Sequence, residues 1–197
     1  MALITKIVCT SARCRSTGLA GFGFLVCALL FSCGLVLPVQ SAPTAEYQVK
    51  AVFLFNFAQF VEWPPSAFPA SQTPLVIGVL GQDPFGAYLD DTLRGERVNN
   101  RPLTVRRYRR VEEIQTCHVL FISRSEADRL DQILASLKYR KILTVADVDS
   151  PAASRVMIRF VTQQNKIRLR INPEAARAAN LTISSKLLRL GGTADGR

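Results

Sequence analysis

The sequence predicts an α/β sandwich whose central mixed sheet is built from strand–helix units and extended by a C-terminal antiparallel hairpin. Residues 75–80, 118–122 and 142–145 are short, continuous apolar runs, as strands covered on both faces must be. Capped or amphipathic helical segments separate these runs, and strands alternating with helices favour parallel pairing. Val156, Ile158 and Phe160 alternate with Met157, Arg159 and Val161, and Ile167, Leu169 and Ile171 with Arg168 and Arg170, around the polar link Gln163-Gln164-Asn165, which is the pattern of a hairpin.

Residues 1–42 read as a signal peptide. Lys6, Arg13 and Arg15 precede residues 18–37, a run with no charged side chain, and the small residues Ser41, Ala42 and Ala45 follow. A run of that length also suffices to span a bilayer as a retained anchor. Phe31 before Ser32-Cys33 fits a lipoprotein signal poorly. Export makes nucleotides, glutathione and DNA poor partners. Without Lys6, Arg13 and Arg15 the net charge of +10 falls to +7, and 155 of the 197 residues remain, enough for one domain over 43–190 with a flexible tail over 191–197. A basic exported protein favours anionic lipid, cell-wall polymer or an acidic protein.

The domain opens with a helix over 46–61 that is apolar nearly all round. Val49, Phe53, Phe57 and Phe60 share helical spacing and are expected to form the core face, with Leu54, Ala58 and Val61 as a second stripe. Such a helix must be buried nearly all round, either inside the domain or against another polypeptide. Trp63-Pro64-Pro65 is expected to stop it. After the first strand, Asp83 and Pro84 suit the N-cap and first position of a helix running through Phe85, Tyr88, Leu89 and Leu93 to Gly95. Leu103, Val105 and Arg107 then continue as an edge strand, and residues 111–115 make a helical turn. Ser125-Glu126 resembles a capping box, and Leu130, Ile133, Leu134 and Leu137 lie on one helical face. Asn172-Pro173-Glu174 restarts a helix, and Ser184 caps a last one through Leu190.

Few residues are available for chemistry. Past the leader the chain holds one histidine, His118, and one cysteine, Cys117; adjacent strand residues point to opposite faces and cannot act as a nucleophilic pair. Zinc would need several His or Cys ligands at close spacing. Gly78, Gly81 and Gly86 are spaced wrongly for a dinucleotide fingerprint. Asp83, Asp147 and Asp149 read as a cap and a polar turn rather than as paired catalytic carboxylates. No catalytic, cofactor or metal site is expected. Arg106-Arg107-Tyr108-Arg109-Arg110 has the composition of a nucleic-acid surface, but the compartment argues against that partner; a solvated edge strand guarded by its charges is the plainer reading. Cys117, flanked by apolar residues, reads as an inert buried thiol or as one half of an intermolecular bridge.

Several blocks, taken in order, resemble the YfiR-like family of exported bacterial proteins: YQVKAVFLFNFAQFVEWP at 47–64, IGVLGQDPFG at 77–86, CHVLFIS at 117–123, ILTV at 142–145, NKIRLRIN at 165–172 and SSKLLR at 184–189. The resemblance implies a dimeric, non-enzymatic periplasmic regulator. It would bind the periplasmic part of an inner-membrane diguanylate cyclase and repress it, with an outer-membrane lipoprotein as a second partner, so controlling cyclic di-GMP and biofilm. Cys117 falls at a family cysteine position, yet no second cysteine follows the leader to pair with it. The contact residues expected for the protein partner are Phe53, Phe57, Phe60 and Trp63 on or after the first helix, Arg168 and Arg170 on the hairpin, and Leu187 and Leu188 near the end. The alternative is a small-ligand or cell-wall-binding module using the crevice beyond the strand ends near 81–85 and 123–125.

Overall fold

The computed structural model describes residues 44–164 and 166–193; the expected signal peptide and the last four residues lie outside them. In chain order the elements are α1 (Ala45–Phe60), β1 (Val61–Glu62), β2 (Leu75–Leu80), α2 (Ala87–Leu93), β3 (Arg97–Val98), β4 (Arg101–Tyr108), β5 (Val119–Ile122), α3 (Leu130–Ser136), β6 (Leu143–Ala146), β7 (Ile158–Gln163), β8 (Lys166–Ile171), α4 (Pro173–Ala178), β9 (Thr182–Ile183), α5 (Ser185–Leu190) and β10 (Gly192–Thr193). The apolar runs become the middle of the sheet. Its order is β10-β8-β7-β6-β5-β2-β4-β3, and every residue of β2, β5 and β6 is buried. β4, β2, β5, β6 and β7 run parallel to their neighbours in that series, while β8 returns antiparallel to β7 with Phe160 opposite Leu169.

Two apolar layers flank the sheet. On one face Ile77, Val79, Phe121, Val145, Phe160 and Leu169 pack with residues of α1, α2 and α5. On the other, Leu80, Leu120, Ile122 and Ala146 pack with Leu130 and Ile133 of α3 and with Leu137 at its C-cap. The caps at the C-terminal end form as the residue types dictate: Asn172 Oδ1 accepts from Ala175 N at 3.0 Å, and Ser184 Oγ accepts from Leu187 N at 3.3 Å.

Four local expectations are corrected. First, α1 buries Lys50, Ala51, Leu54, Phe57 and Ala58, so the stripe continuing to Val61 is the deep one, while Val49 lies 46% exposed. Alanines at 51 and 58 let the helix approach the sheet, and Lys50 is drawn inward by a partner 97 positions away in sequence, Asp147. The helix ends at Phe60, ahead of Trp63, because Val61–Glu62 turns extended and pairs with Thr182–Ile183. Second, Asp83 is no helix cap. Its Oδ1 accepts from Phe85 N at 2.8 Å and its Oδ2 from Arg107 Nε at 2.8 Å, and α2 begins later, after Gly86 at φ 55. Third, the Ser125 hydroxyl accepts from Gln82 N at 2.9 Å instead of capping its own helix. Fourth, Gly192–Thr193, placed in the tail by sequence, pair in parallel with Arg170–Ile171.

Candidate functional site

A charge cluster fixes the first turn of α1 to the carboxyl end of β6. Lys50 Nζ is wholly buried and ion-paired to Glu46 Oε1 at 2.5 Å and to Asp147 Oδ2 at 2.7 Å. Tyr47 donates its hydroxyl to Asp147 Oδ2 at 2.8 Å, and Arg124, following β5, brings Nε to the same oxygen at 3.1 Å. The Tyr47 ring lies 4.7 Å from Lys50 Nζ, so the ammonium also sits over an aromatic face. The hydrogen bond from Lys50 holds the Glu46 carboxyl below the usual glutamate range. Burial, together with Asp147 as acceptor, pushes the Tyr47 hydroxyl well above its ordinary range, so it remains a donor. Sequence reasoning passed over this cluster. The available signals were a lone lysine inside an apolar helix, four residues after a glutamate, and the first acid after a buried strand.

With α1 held at that rotation, its outward stripe reads Val49, Val52, Phe53, Asn56 and Phe60, at spacings of three, four and seven. Val52 is 44% exposed, and Phe53 and Phe60 are half-buried. Phe53 leans on Phe57 and Phe160, each ring 6.0 Å away. Leu188 on α5 is near the end of this stripe, where Ser184 N bonds Phe60 O at 2.9 Å. Phe57 and Leu187, expected at the interface, are fully buried and serve the core. Arg168 and Arg170 alternate with Leu169 and Ile171, which face α1; the two arginines therefore project from the opposite face of the sheet. The expected contact residues thus fall into four groups: the α1 stripe with Leu188, two core residues, a basic face of the hairpin, and Trp63 by itself.

Trp63 belongs to a different assembly. Its ring meets His118 edge-on at 6.2 Å, Phe68 stacks on the same imidazole at 4.5 Å, and Arg101 covers Phe68 at 3.9 Å. The Trp63 indole N–H is buried and has no hydrogen-bond partner among the described residues. His118 Nδ1 accepts from Val76 N at 3.0 Å, which places the proton on Nε2, directed at Ala67 O at 3.3 Å. The imidazole is therefore a neutral clasp between β2 and the 63–74 loop. Burial lowers its pKa. The unfolded chain then binds a proton more readily than the folded one, so stability is complete above the usual histidine range and declines as pH falls towards the folded pKa. A melting series from pH 7.5 to 5 should show this loss, and His118→Asn, which keeps an acceptor for Val76 N without titrating, should flatten it. An unchanged slope in that variant would remove His118 as the cause.

The part of the expected small-ligand crevice beside Gly81 is taken up by Ser125 and Glu126 of the protein itself. A Cβ built on Gly81, at φ +88, would stand 2.4 Å from Ser125 Oγ and 2.7 Å from Glu126 Oε1. Cys117 is buried and its thiol is pushed up to about 12 by that burial, which makes it an unreactive packing group. The basic run at 106–110 divides its labour. Arg107 clamps Asp83, Asp90 and the Gly86 carbonyl, and Arg110 pairs with Glu113. Among the described residues no group of three or more His, Cys, Asp or Glu side chains gathers as a metal site, and no helix is long and apolar enough to cross a membrane.

The sequence profile of the YfiR/HmsC-like family matches residues 47–192, the span from the first turn of α1 to β10, while no curated protein matches the chain. Well over half of the chain is covered, and the covered part includes Tyr47, Lys50, Arg124 and Asp147 of the charge cluster, the α1 stripe and the sheet up to Gly192. This chain belongs to the YfiR/HmsC-like family.

Proposed function

We propose that this protein is a periplasmic regulator that docks on the periplasmic sensor domain of an inner-membrane diguanylate cyclase and holds it inactive. Family membership supports the regulatory class. The observation that carries the docking reading is the stripe on α1, where Val49 and Val52 stand about half exposed beside Phe53 and Phe60. A largely apolar strip on a rigid helix, broken only by Asn56 and flanked by exposed Gln59, has the composition of the centre of a protein interface. Leu188 extends the strip, and the basic hairpin face with Arg168 and Arg170 offers a second, electrostatic contact. The carboxyl groups nearest to catalytic use, Asp147 and Asp83, are committed to ion pairs. A homodimer and an outer-membrane lipoprotein complete the set of protein partners that the family suggests.

Val52 makes the sharpest test, because its exposure lets a charge be tolerated in the free protein. Val52→Asp should melt within a few tenths of a kcal/mol of the parent, as exposed substitutions do, yet lose about tenfold or more in affinity for the sensor domain. In cells it should reproduce gene deletion, raising cyclic di-GMP and surface attachment. Unchanged cyclic di-GMP in a deletion strain with a working cyclase would end this reading.

A further inference from the structure

At the carboxyl edge of the sheet β7 runs on beyond the last residue of β6, and the step between them opens into a cavity of about 380 Å³. Arg124 and Arg159 line its polar side, and Ala127, Val148 and Val161 its apolar side. The Arg159 side chain is only 26% exposed, and its one ion pair among the described residues is a loose 3.9 Å contact to Asp149, a fully exposed side chain. A guanidinium so enclosed carries five donors in a planar fork, matched to a carboxylate in two-point contact. Arg124 commits Nε and Nη2 to Asp147 and Glu46, which fixes its position and leaves Nη1 uncommitted among the described residues. Asp147 is itself held by Lys50 and Tyr47, so this wall of the cavity is set before any ligand arrives.

We propose that the cavity binds a small organic monocarboxylate, its carboxylate between Arg159 and Arg124 and its hydrocarbon part on Ala127, Val148 and Val161. The charge balance selects the class. Asp147 and Asp149 share the lining with the two arginines, so the site has no surplus positive charge to meet a second negative charge on the ligand, as in phosphate or a dicarboxylate. The apolar half of the lining gives a hydrocarbon body somewhere dry to rest, which an inorganic anion cannot use. The site uses none of the α1 stripe and stands or falls independently of the cyclase reading.

Benzoate is a suitable probe, followed by proton–nitrogen NMR on the exported chain. Saturable shifts are expected at the Val161 and Thr162 amides and at Arg159 Nε–H, with no saturable response to inorganic phosphate or succinate. Arg159→Gln should weaken benzoate binding about tenfold or more, through loss of a charge-assisted, two-point contact. Arg159→Lys should recover only part of it, since an ammonium lacks the fork. The proposal is overturned if benzoate produces no saturable shift, if Arg159→Gln binds as the parent does, or if phosphate or succinate fills the site more tightly than benzoate.

Discussion

Asp147→Asn is expected to destabilise the protein by about 3 kcal/mol, at the lower edge of what breaking a buried ion pair costs. At about 2–4 °C per kcal/mol for a chain of this size, the melting temperature falls by roughly 6–12 °C. Asparagine keeps the shape of the side chain but removes the charge that Lys50 meets at 2.7 Å. Lys50 is wholly inside the fold, and its other partner, Glu46, is one-third exposed and shared with Arg124. What dominates the cost is the stranded ammonium, which has lost water and gained only one anion in return. The opposite substitution is expected to be mild. Lys50→Met removes the buried cation together with its desolvation cost, and Asp147 keeps Arg124 and Tyr47 as partners. A thioether also suits the Tyr47 and Phe160 rings that now surround the ammonium. Lys50→Met should therefore stay within about 1 kcal/mol of the parent, as replacements of buried ions by apolar groups often do. The ordering is the test. Calorimetry that finds Lys50→Met costlier than Asp147→Asn would show that the lysine is not the strained partner.

The same cluster explains which parts of the molecule could be read from sequence. The strands were legible because their signal is local: a continuous apolar run such as residues 75–80 has no stable place except between two covered faces. The caps at Asn172 and Ser184 were legible for the same reason, since donor and acceptor are three residues apart. The rotation of α1 was not. All sides of that helix are apolar, so periodicity leaves its inward face undetermined, and the choice is made by Tyr47 and Lys50 meeting Asp147 about 100 residues later. That one contact decides that Phe57 belongs to the core and Val52 to the surface. The start of α2 moved for a similar reason, because Arg107, on a strand still to come, holds one Asp83 oxygen while the other accepts from Phe85 N in a turn ahead of the helix. Two-residue strands such as β1 and β9 carry no pattern of their own and exist only through their pairing. Strand alternation alone sets Arg168 and Arg170 on the face opposite Leu169 and Ile171, whereas the sequence does not say that α1 lies on the leucine side.

Gly78→Ala is expected to cost about 2 kcal/mol, although a glycine in a strand interior usually gains from acquiring a methyl group. Less freedom in the unfolded chain and better strand geometry favour alanine by about 0.5–1 kcal/mol where space allows. Here space decides the sign. A Cβ on Gly78 would stand 2.8 Å from Cys117 Sγ, 2.8 Å from Tyr108 Cε2 and 3.0 Å from Leu120 Cδ1. The tyrosine ring has little room to yield, because its hydroxyl is tied to Thr116 O at 2.8 Å. Leu120 is wholly buried on β5, which pairs with β2 with Leu120 opposite Gly78 itself. Overfilling of this kind costs about 1–3 kcal/mol and outweighs the entropic gain. Glycine at this point of an otherwise branched, apolar strand is thus a space requirement of the layer facing α3. The cysteine supplies the control. Cys117→Ala removes one of the two closest atoms, so Gly78→Ala should cost about 1 kcal/mol less in that background, a coupling in the range seen for side chains in contact. Urea unfolding of the four chains measures it. A Gly78→Ala protein as stable as its parent, or a cost unchanged by removing the sulfur, would mean that the β2–β5 layer has slack that these distances deny.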